Sequence, residues 1–476
     1  MGLIVVAVWP CSAYGQASSQ LQATAQRVVK LDGAWNGRMV VNHLQLRVIV
    51  KLEKKKGGDG YTGTYQSPDQ QDKLFPLDVV TYKSGVLHLE VTSLHLSWDG
   101  TFGEAGNDFK GTLKQDRDSV ALNLSHEAFV PVYRRPQEPK RPYPYNVEEV
   151  SFTNRGSGLK LAGLLTYPKQ VGPFPAVLLV SESPFHDHNE SVMGHRPFLV
   201  LADYLTEHGL AVLRIDGRGI GRSGGLFGRV TPEEYISDIQ SSILYLKTRT
   251  DIDKKRIGLI GHGEGADMAV IAGTQIKGVA LIVMLAGAGV DGGKLLTAQS
   301  IGLAKLAGEP DDIVAIIRRI DEKLFASMAV SRDPAKTQEI LNTTIFAELQ
   351  KLSEADRRRV AKQMVTVARW VNSPWTRYFI TYDPPQWLKK LTCPVLAING
   401  DKDLQVSSKV NLPAIDAALK AGGNKDSTTK SMPGLNYLFQ TCKTGAPSEY
   451  VTIEETISPE ALKTVGDWIG AHFGNK

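Results

Sequence analysis

The residues with the clearest chemical signal are the glycines of a short turn, Gly-His-Gly-Glu-Gly at positions 261–265. An apolar run precedes this turn, and a run of Ala, Met and Val at helical spacing follows it. Strand, sharp turn and helix together form the context of a Gly-x-Ser-x-Gly elbow, in which an exposed serine hydroxyl is the nucleophile of acyl transfer. That serine's position holds Gly263, so the sequence predicts the elbow without its reacting atom.

A glycine-rich turn after a strand can also bind the phosphates of a dinucleotide. The full Gly-x-Gly-x-x-Gly spacing is absent because position 266 is Ala, although some dinucleotide loops tolerate Ala there. An acidic residue for the ribose is expected about 20 residues further on, but residues 278–287 are an apolar strand. The sequence therefore favours the elbow, and we predict no cofactor.

A second polar segment, Ser-Glu-Ser-Pro-Phe-His-Asp-His at 181–188, is followed by Glu190. A His-x-His pair such as His186 and His188 can supply two metal ligands. The two rings point the same way only where the chain is extended, and no third ligand is identifiable from the sequence. We therefore predict no metal and interpret the segment as the polar rim of a pocket, with a metal-assisted site as the alternative.

Composition and length fix the broad class of the protein. At 476 residues, with 42% hydrophobic and 22% charged residues, the chain is typical of a soluble protein of two or three domains. The net charge of +5 is small and the basic residues are scattered, so nucleic-acid binding is not indicated.

Residues 1–17 combine a short apolar run with small residues at a cleavage position, which predicts a signal peptide and export to the periplasm or beyond. The run is too short to cross a bilayer, so no transmembrane segment is predicted.

The N-terminal part of the mature chain has the pattern of an all-β domain. Over residues 28–130, apolar residues alternate with polar ones, as half-buried strands require. Gly-Gly-Asp-Gly at 57–60 and Asp99-Gly100 predict hairpin turns, so we expect an antiparallel barrel or sandwich. Residues 131–145 hold five prolines and are expected to be an extended linker.

From residue 146 onward, buried strands alternate with helices. Strands without period-two polarity predict a mostly parallel sheet covered by helices on both faces. Residues 288–388 interrupt this alternation with helical periodicity only. Because the insertion follows a strand on the side where the elbow opens, we predict a helical cap over a pocket.

This arrangement resembles the α/β-hydrolase fold over residues 146–476. Ile-Asp-Gly-Arg-Gly-Ile-Gly-Arg-Ser at 215–223 is similar to a loop common in these enzymes. Cys-Pro-Val-Leu-Ala-Ile-Asn-Gly-Asp-Lys-Asp at 393–403 resembles the strand that delivers the triad acid, and Pro-Gly-Leu-Asn-Tyr-Leu-Phe at 433–439 resembles the loop of the triad histidine. The likeness is closest to secreted bacterial hydrolases of the serine-aminopeptidase and dienelactone-hydrolase types.

The resemblance implies a Ser–His–Asp triad that attacks an ester or amide carbonyl. It places the nucleophile at Gly263, the acid at Asp403 and the base at Tyr437, so two of the three positions are degenerate. A tyrosine with its ordinary pKa near 10 is a poor proton acceptor at neutral pH. In the segment that should hold the oxyanion, Pro184 has no N–H and Glu182 adds negative charge.

Candidate pocket residues follow from the same alignment of motifs, and they are His262, Glu264, Ser183, His186 and His188. After Asp403 the chain offers only His472, which we interpret as a helix residue rather than a replacement base. We therefore predict a catalytically impaired hydrolase homologue that binds a small ester-like or peptide-like ligand in a capped pocket. The alternative is an active exported esterase or peptidase with a rearranged or metal-assisted site.

Overall fold

The computed structural model describes residues 30–41, 44–69, 74–103, 107–115, 118–126, 133–226, 230–330, 333–358, 360 and 374–474. The predicted signal peptide at 1–17 lies outside these residues. The described chain forms two compact units, one before and one from Tyr133 onward.

The N-terminal unit is built on one antiparallel sheet with the path β4-β3-β2-β1-β10-β8-β7-β6-β5, and β9 pairs with β8. Its strands are β1 (Gly33–Val41), β2 (Leu44–Lys54), β3 (Tyr61–Gln66), β4 (Phe75–Pro76), β5 (Val79–Lys83), β6 (Val86–Val91), β7 (Leu96–Phe102), β8 (Asp108–Gln115), β9 (Asp118–Ala121) and β10 (Leu124–Ser125). The predicted hairpin at 57–60 is confirmed, because it joins β2 to β3 with Lys54 opposite Tyr61. Trp35, Trp98 and Phe109 are buried and their rings meet edge to face.

The predicted turn at Asp99-Gly100 is wrong. Both residues lie within β7, where Gly100 pairs with Gly111 of β8. A Cβ on either glycine would overlap the Trp98 indole. Glycine is therefore needed here for space beside a large ring and not for turn geometry.

The second unit contains the predicted doubly covered sheet. Its strands are β11 (Asn146–Thr153), β12 (Lys160–Tyr167), β13 (Phe174–Val180), β14 (Ala211–Ile215), β15 (Ile252–His262), β16 (Ile282–Leu285), β17 (Val395–Gly400) and β18 (Ser427–Met432). They lie in the order β11-β12-β14-β13-β15-β16-β17-β18, antiparallel as far as β14 and parallel from β14 to β18. Val177 and Leu179 of β13 pack on one face and Leu178 and Val180 on the other, so both faces are buried.

Helices cover the sheet and the carboxyl ends of its strands. Those packed on the sheet are Pro197–Glu207, Pro232–Thr248, Glu264–Gln275, Ser408–Ala421 and Pro459–Phe473, with the short helix Pro447–Tyr450 before the last. The insertion after β16 is helical as predicted, with Gly292–Leu306, Asp311–Val330, Pro334–Leu349, Pro374–Thr381 and Pro384–Leu388. Thr231 and Glu234 form a reciprocal capping box at the start of Pro232–Thr248. Within the described residues, no helix has the length and apolar character needed to span a bilayer.

Candidate active site

The elbow is built as predicted, between the end of β15 and the helix Glu264–Gln275. Gly263 has φ 54° and ψ −127°, a backbone conformation that residues with a side chain rarely adopt. Its N–H donates to the Leu285 carbonyl at 2.8 Å, and its carbonyl accepts from Ala266 N–H at 3.0 Å. A Cβ at Gly261 would overlap Gly265 and Ala266, so the close approach of strand and helix requires glycine there. The strained backbone of a nucleophile elbow is present without a nucleophile.

Tyr437 takes the space above the elbow that a nucleophile would occupy. It lies in the loop after β18, is buried, and donates its hydroxyl to Glu182 Oε2 at 2.5 Å. A Cβ built on Gly263 would overlap this hydroxyl. Burial, together with the Glu182 carboxylate, raises the pKa of Tyr437 well above its ordinary value. Tyr437 is therefore a proton donor to Glu182 and not a base.

His262 sits beneath the elbow as a buried cation. Its Nδ1 lies 3.2 Å from Glu190 Oε2, and its Nε2 donates to the Tyr437 carbonyl at 3.1 Å. The Nε2 contact requires a proton on Nε2, whereas Nδ1 lies within ion-pair distance of Glu190 without making a hydrogen bond. Burial alone would lower the pKa of His262, but the carboxylates of Glu190 and Glu182 and the Tyr437 carbonyl raise it to about 9.

Glu182 and Glu190 join the elbow to the segment that follows β13. Glu190 Oε1 accepts the backbone N–H of Glu182 at 2.7 Å. His186 Nε2 lies 3.3 Å from Glu182 Oε1; burial opposes the charged ring, yet Glu182 raises the pKa of His186 overall. The result is a buried cluster of two carboxylates and two histidines around one glycine. Glu182 N–H, a candidate oxyanion donor, is already bonded within the protein.

The other residues of this segment do not join the cluster. His188 Nδ1 lies 2.6 Å from Asp216 Oδ1, whereas His186 contacts Glu182, so the predicted histidine pair is divided between two acids. Ser183 Oγ accepts from Phe185 N–H at 3.2 Å within its own loop. In the part of the chain that the structure describes, no group of three or more His, Cys, Asp or Glu residues is placed to hold a metal ion.

Asp403 occupies the position of the triad acid, after β17. Its Oδ1 accepts N–H groups from Gln405 at 2.7 Å and Val406 at 2.8 Å. Its Oδ2 is buried and has no hydrogen-bond partner among the described residues. Burial raises the pKa of Asp403 to about 7, despite the two N–H donors. Oδ2 is the atom that a base histidine would use, and Tyr437 leaves it unpaired.

A cavity of about 60 Å³ opens beside Gly263 and Tyr437. Glu182, Glu264 and Asp267 form its acidic wall, whereas Leu295, Leu296 and Phe379 of the cap form an apolar wall. Asp267 Oδ1 accepts the Ala288 N–H at 3.1 Å. Glu264, predicted as a pocket residue, is thus placed on the cavity. A small molecule with an apolar body and a polar group would match these walls.

Two features of the site were not predicted. Glu190 is noticeable in the sequence only as an acid near two histidines, and its pairing with His262 crosses 72 positions of the chain. The contact of Tyr437 with Glu182 crosses 255 positions and involves two residue types that ordinary triads do not pair.

His472 contacts Trp468 and Asp426. Because Asp426 precedes β18, His472 lies at the end of the sheet opposite the elbow, which confirms that it is a helix residue outside the site.

The strand order, the elbow and the acid after β17 define the class of the C-terminal unit as an α/β-hydrolase. The model of the family described as "Serine aminopeptidase, S33" matches residues 195–436, just over half of the chain. The protein therefore belongs to this family, and the resemblance predicted from the sequence is confirmed.

Curated relatives match only in part. Esterase EstD of Thermotoga maritima is 26% identical over 311 residues, which cover 63% of this chain and 64% of that protein. Thiohydrolase apmlB of Arthrinium phaeospermum is 31% identical over 137 residues, or 29% of this chain and 41% of that protein. The chain thus spans less than two thirds of the length of either relative.

The similarity to solved structures is low. An esterase of Pyrococcus furiosus, Pf2001, has 16% identity and a TM-score of 0.40 over 72% of this chain and 99% of its own. The α/β hydrolase GrgF of Penicillium sp. sh18 has 17% identity and a TM-score of 0.41 over 69% of this chain and 99% of its own. The fold assignment follows from the strand order and the family match.

Proposed function

We propose that this protein is a catalytically impaired member of its hydrolase family that binds a small ester-like or peptide-like ligand without turning it over. One observation carries the proposal: the nucleophile position is Gly263, and the Tyr437 hydroxyl, bonded to Glu182, fills the space above it. Acyl transfer by this fold requires a side chain that attacks the carbonyl carbon. The neighbouring hydroxyl does not supply one, because its pKa is raised well above the ordinary value.

The electrostatics of the site support the same proposal. A tetrahedral intermediate places negative charge next to the elbow, where this fold normally offers free N–H donors. Here the Glu182 N–H already donates to Glu190. The Glu182 carboxylate also lies on the cavity. A developing oxyanion would meet a like charge, which destabilises the transition state rather than the ground state.

The cavity supports retention of binding. Its apolar cap residues Leu295, Leu296 and Phe379 give it the mixed lining of a small-molecule pocket. The partial similarity to an esterase of Thermotoga maritima favours a ligand with an ester or a related acyl group. The ligand would then be held beside Gly263 without a covalent step.

An active enzyme with a rearranged site is the second candidate, and one observation favours it. His186, Glu182 and Tyr437 form a continuous chain of proton-sharing groups that ends at the cavity. Such a chain could move a proton, but it offers no group that forms a covalent acyl intermediate. Turnover distinguishes the two candidates, because only an active site of this second kind would hydrolyse an ester that binds in the cavity.

The mature protein is expected not to react with a fluorophosphonate probe, because Gly263 has no atom to phosphonylate. The measurement is intact-protein mass spectrometry after incubation with the probe, with heat-denatured protein as the control for non-specific reaction. A single adduct mapped to a serine beside the cavity of the native protein would mean that the site keeps a nucleophile.

Ethyl butyrate is expected to bind in the cavity and to remain intact. Saturation-transfer NMR should detect contact of the ester with the protein, and Leu296→Trp should abolish the signal by filling the cavity. Leu303→Trp is the matched control, because Leu303 lies on the same helix, is 37% exposed and does not line the cavity. A signal that survives Leu296→Trp would place the ester elsewhere.

A further inference from the structure

Arg135 connects two loops of the hydrolase unit from a position before its first strand. Its guanidinium donates to the carbonyls of Met193 at 3.2 Å and Gly194 at 3.1 Å. It also donates to the carbonyls of Val451 and Ile453, both at 2.9 Å. The planar fork of arginine suits this multiple role, because its five N–H groups point in fixed directions. One side chain from the predicted linker thus serves four backbone acceptors in these two loops.

The first of these loops contains a strained turn. Val192 and His195 form an isolated antiparallel bridge, with N–H to carbonyl distances of 3.0 and 2.8 Å in the two directions. Between them, Met193 has φ 50° and Gly194 has φ 74°. Positive φ at both central positions is the geometry of a type I′ turn, which favours Asn or Gly and disfavours methionine. Arg135 binds the carbonyls of both turn residues and so stabilises the strained pair.

This turn lies next to the residue that holds His262. Glu190 precedes it by two positions and is itself at φ 52°. Glu190 Oε1 accepts the Glu182 N–H, and Glu190 Oε2 lies 3.2 Å from His262 Nδ1 as an ion-pair contact. A shift of the turn would move Glu190 and weaken both contacts.

The same turn also reaches the Tyr437 loop. His195 Nε2 lies 2.9 Å from the Tyr450 carbonyl and 2.9 Å from Gln440 Nε2. Gln440 is tied to Asn436 by two side-chain hydrogen bonds of 2.9 Å, and Asn436 directly precedes Tyr437. Tyr450 in turn precedes the carbonyls that Arg135 binds. Arg135 therefore contacts the loop of Glu190 directly, and it is linked to the loop of Tyr437 through His195 and Gln440.

We propose that Arg135 is a positioning residue of the candidate site, which fixes Glu190 against His262 and the Tyr437 loop above Gly263 by holding the turn at 192–195 and the segment at 451–453. The role lies in geometry rather than in contact with a ligand. It goes beyond the proposed function, because it assigns part of the Pro-rich segment to the construction of the site whether or not the site turns over a substrate.

The test is the titration of His262 in the full-length Arg135→Gln variant, followed by NMR of labelled histidine rings. The His262 signal is identified by its absence from His262→Asn. In the wild type the pKa of His262 is about 9 because carboxylates surround the ring. Release of Glu190 should lower the His262 pKa by at least about one unit toward the ordinary 6.5. Loss of a positive charge alone would raise a histidine pKa, so the sign of the change separates positioning from simple electrostatics.

Arg141→Gln is the matched control. Arg141 lies in the same Pro-rich segment, is exposed, and its guanidinium carbon lies 5.6 Å from the centre of the Tyr143 ring. The change removes the same charge but leaves the loops at 192–195 and 451–453 in place. The His262 titration should match that of the wild type.

Two further variants test the same role if Arg135→Gln folds poorly. Arg135→Lys keeps the charge but loses the fork, and a smaller fall in the His262 pKa is expected. Met193→Gly removes the cost of the positive φ and, added to Arg135→Gln, should restore the His262 titration. A folded Arg135 variant with an unchanged or raised His262 pKa would overturn the inference. Global unfolding of every Arg135 variant would also overturn it, because the role would then be in the whole domain.

Discussion

The variant that carries both Gly263→Ser and Tyr437→His is expected to hydrolyse a short activated ester at least about 10³ times faster than either single variant. The elbow already has its φ of 54°, and Asp403 Oδ2 is buried without a partner among the described residues. A histidine at 437 would meet that oxygen on one side and a serine hydroxyl on the other. Triad members act as a unit, so the gain should appear only when both changes are present.

Each single variant has a defined reason to fail. In Gly263→Ser the new side chain overlaps the Tyr437 hydroxyl, and no base is present to activate it. In Tyr437→His a base is present, but there is nothing for it to activate. The measurement is hydrolysis of p-nitrophenyl acetate by the wild type, both single variants and the double variant. Adding Asp403→Asn to the double variant should remove the gain, which serves as the control for a true triad.

The double variant should still be a modest esterase, because Glu182 lies on the cavity. Losing one oxyanion donor typically costs a factor of about 10²–10³ in rate. Adding Glu182→Gly to the double variant removes the like charge from the cavity and should increase turnover further, while the N–H of residue 182 still donates to Glu190. Wild-type turnover equal to that of the double variant would mean that the protein has catalytic machinery of its own, and the impaired-hydrolase proposal would be wrong.

Asp403→Asn is expected to flatten the pH dependence of the free energy of unfolding between about pH 4 and 7. Burial raises the folded-state pKa of Asp403 from 3.8 to about 7. A raised pKa means that the folded state binds the proton more tightly, so its stability contribution is complete below pH 3.8 and is lost as pH rises through 7. At 1.36 kcal/mol per pKa unit, this loss is on the order of 4 kcal/mol.

Urea unfolding at intervals from pH 4 to 8 measures this difference. The asparagine side chain of Asp403→Asn keeps an oxygen for the N–H groups of Gln405 and Val406, so the site should fold as before. Glu454→Gln removes an exposed carboxylate from the same unit and should leave the wild-type pH dependence unchanged. If the free energy of unfolding depended on pH in the same way in Asp403→Asn and in the wild type, the pKa of Asp403 would not be raised in the folded protein.

The sequence was sufficient for the fold because each element has a local signature. Three of these signatures depend only on residues that are close together in the sequence. They are the apolar run before residue 261, the Thr231–Glu234 capping box and the helical periodicity of residues 288–388. The predicted turn at Asp99-Gly100 failed because a dipeptide can need glycine for a reason that only tertiary packing reveals. There, the Trp98 ring occupies the space of a side chain at Gly100.

The site was predictable by position but not by contact. Motifs placed Gly263, Asp403 and Tyr437 at the ends of their strands, where the structure has them. They gave no indication that Tyr437 donates to Glu182, since that bond joins residues 255 positions apart. The raised pKa of His262 was equally hidden, because it depends on a carboxylate and a backbone carbonyl from different loops. Pairings of this kind depend on side chains converging from different loops, which periodicity does not encode.

The overlap between a side chain at 263 and the Tyr437 hydroxyl also makes these two positions depend on each other. A side chain at 263 requires the tyrosine ring to move, and that movement would break its hydrogen bond to Glu182. A change to serine alone therefore disturbs an existing contact and gains no base. A change that also removes Tyr437 avoids this cost. Tyrosine at 437 thus favours glycine at the elbow, and the two residues are best understood as one compatible pair.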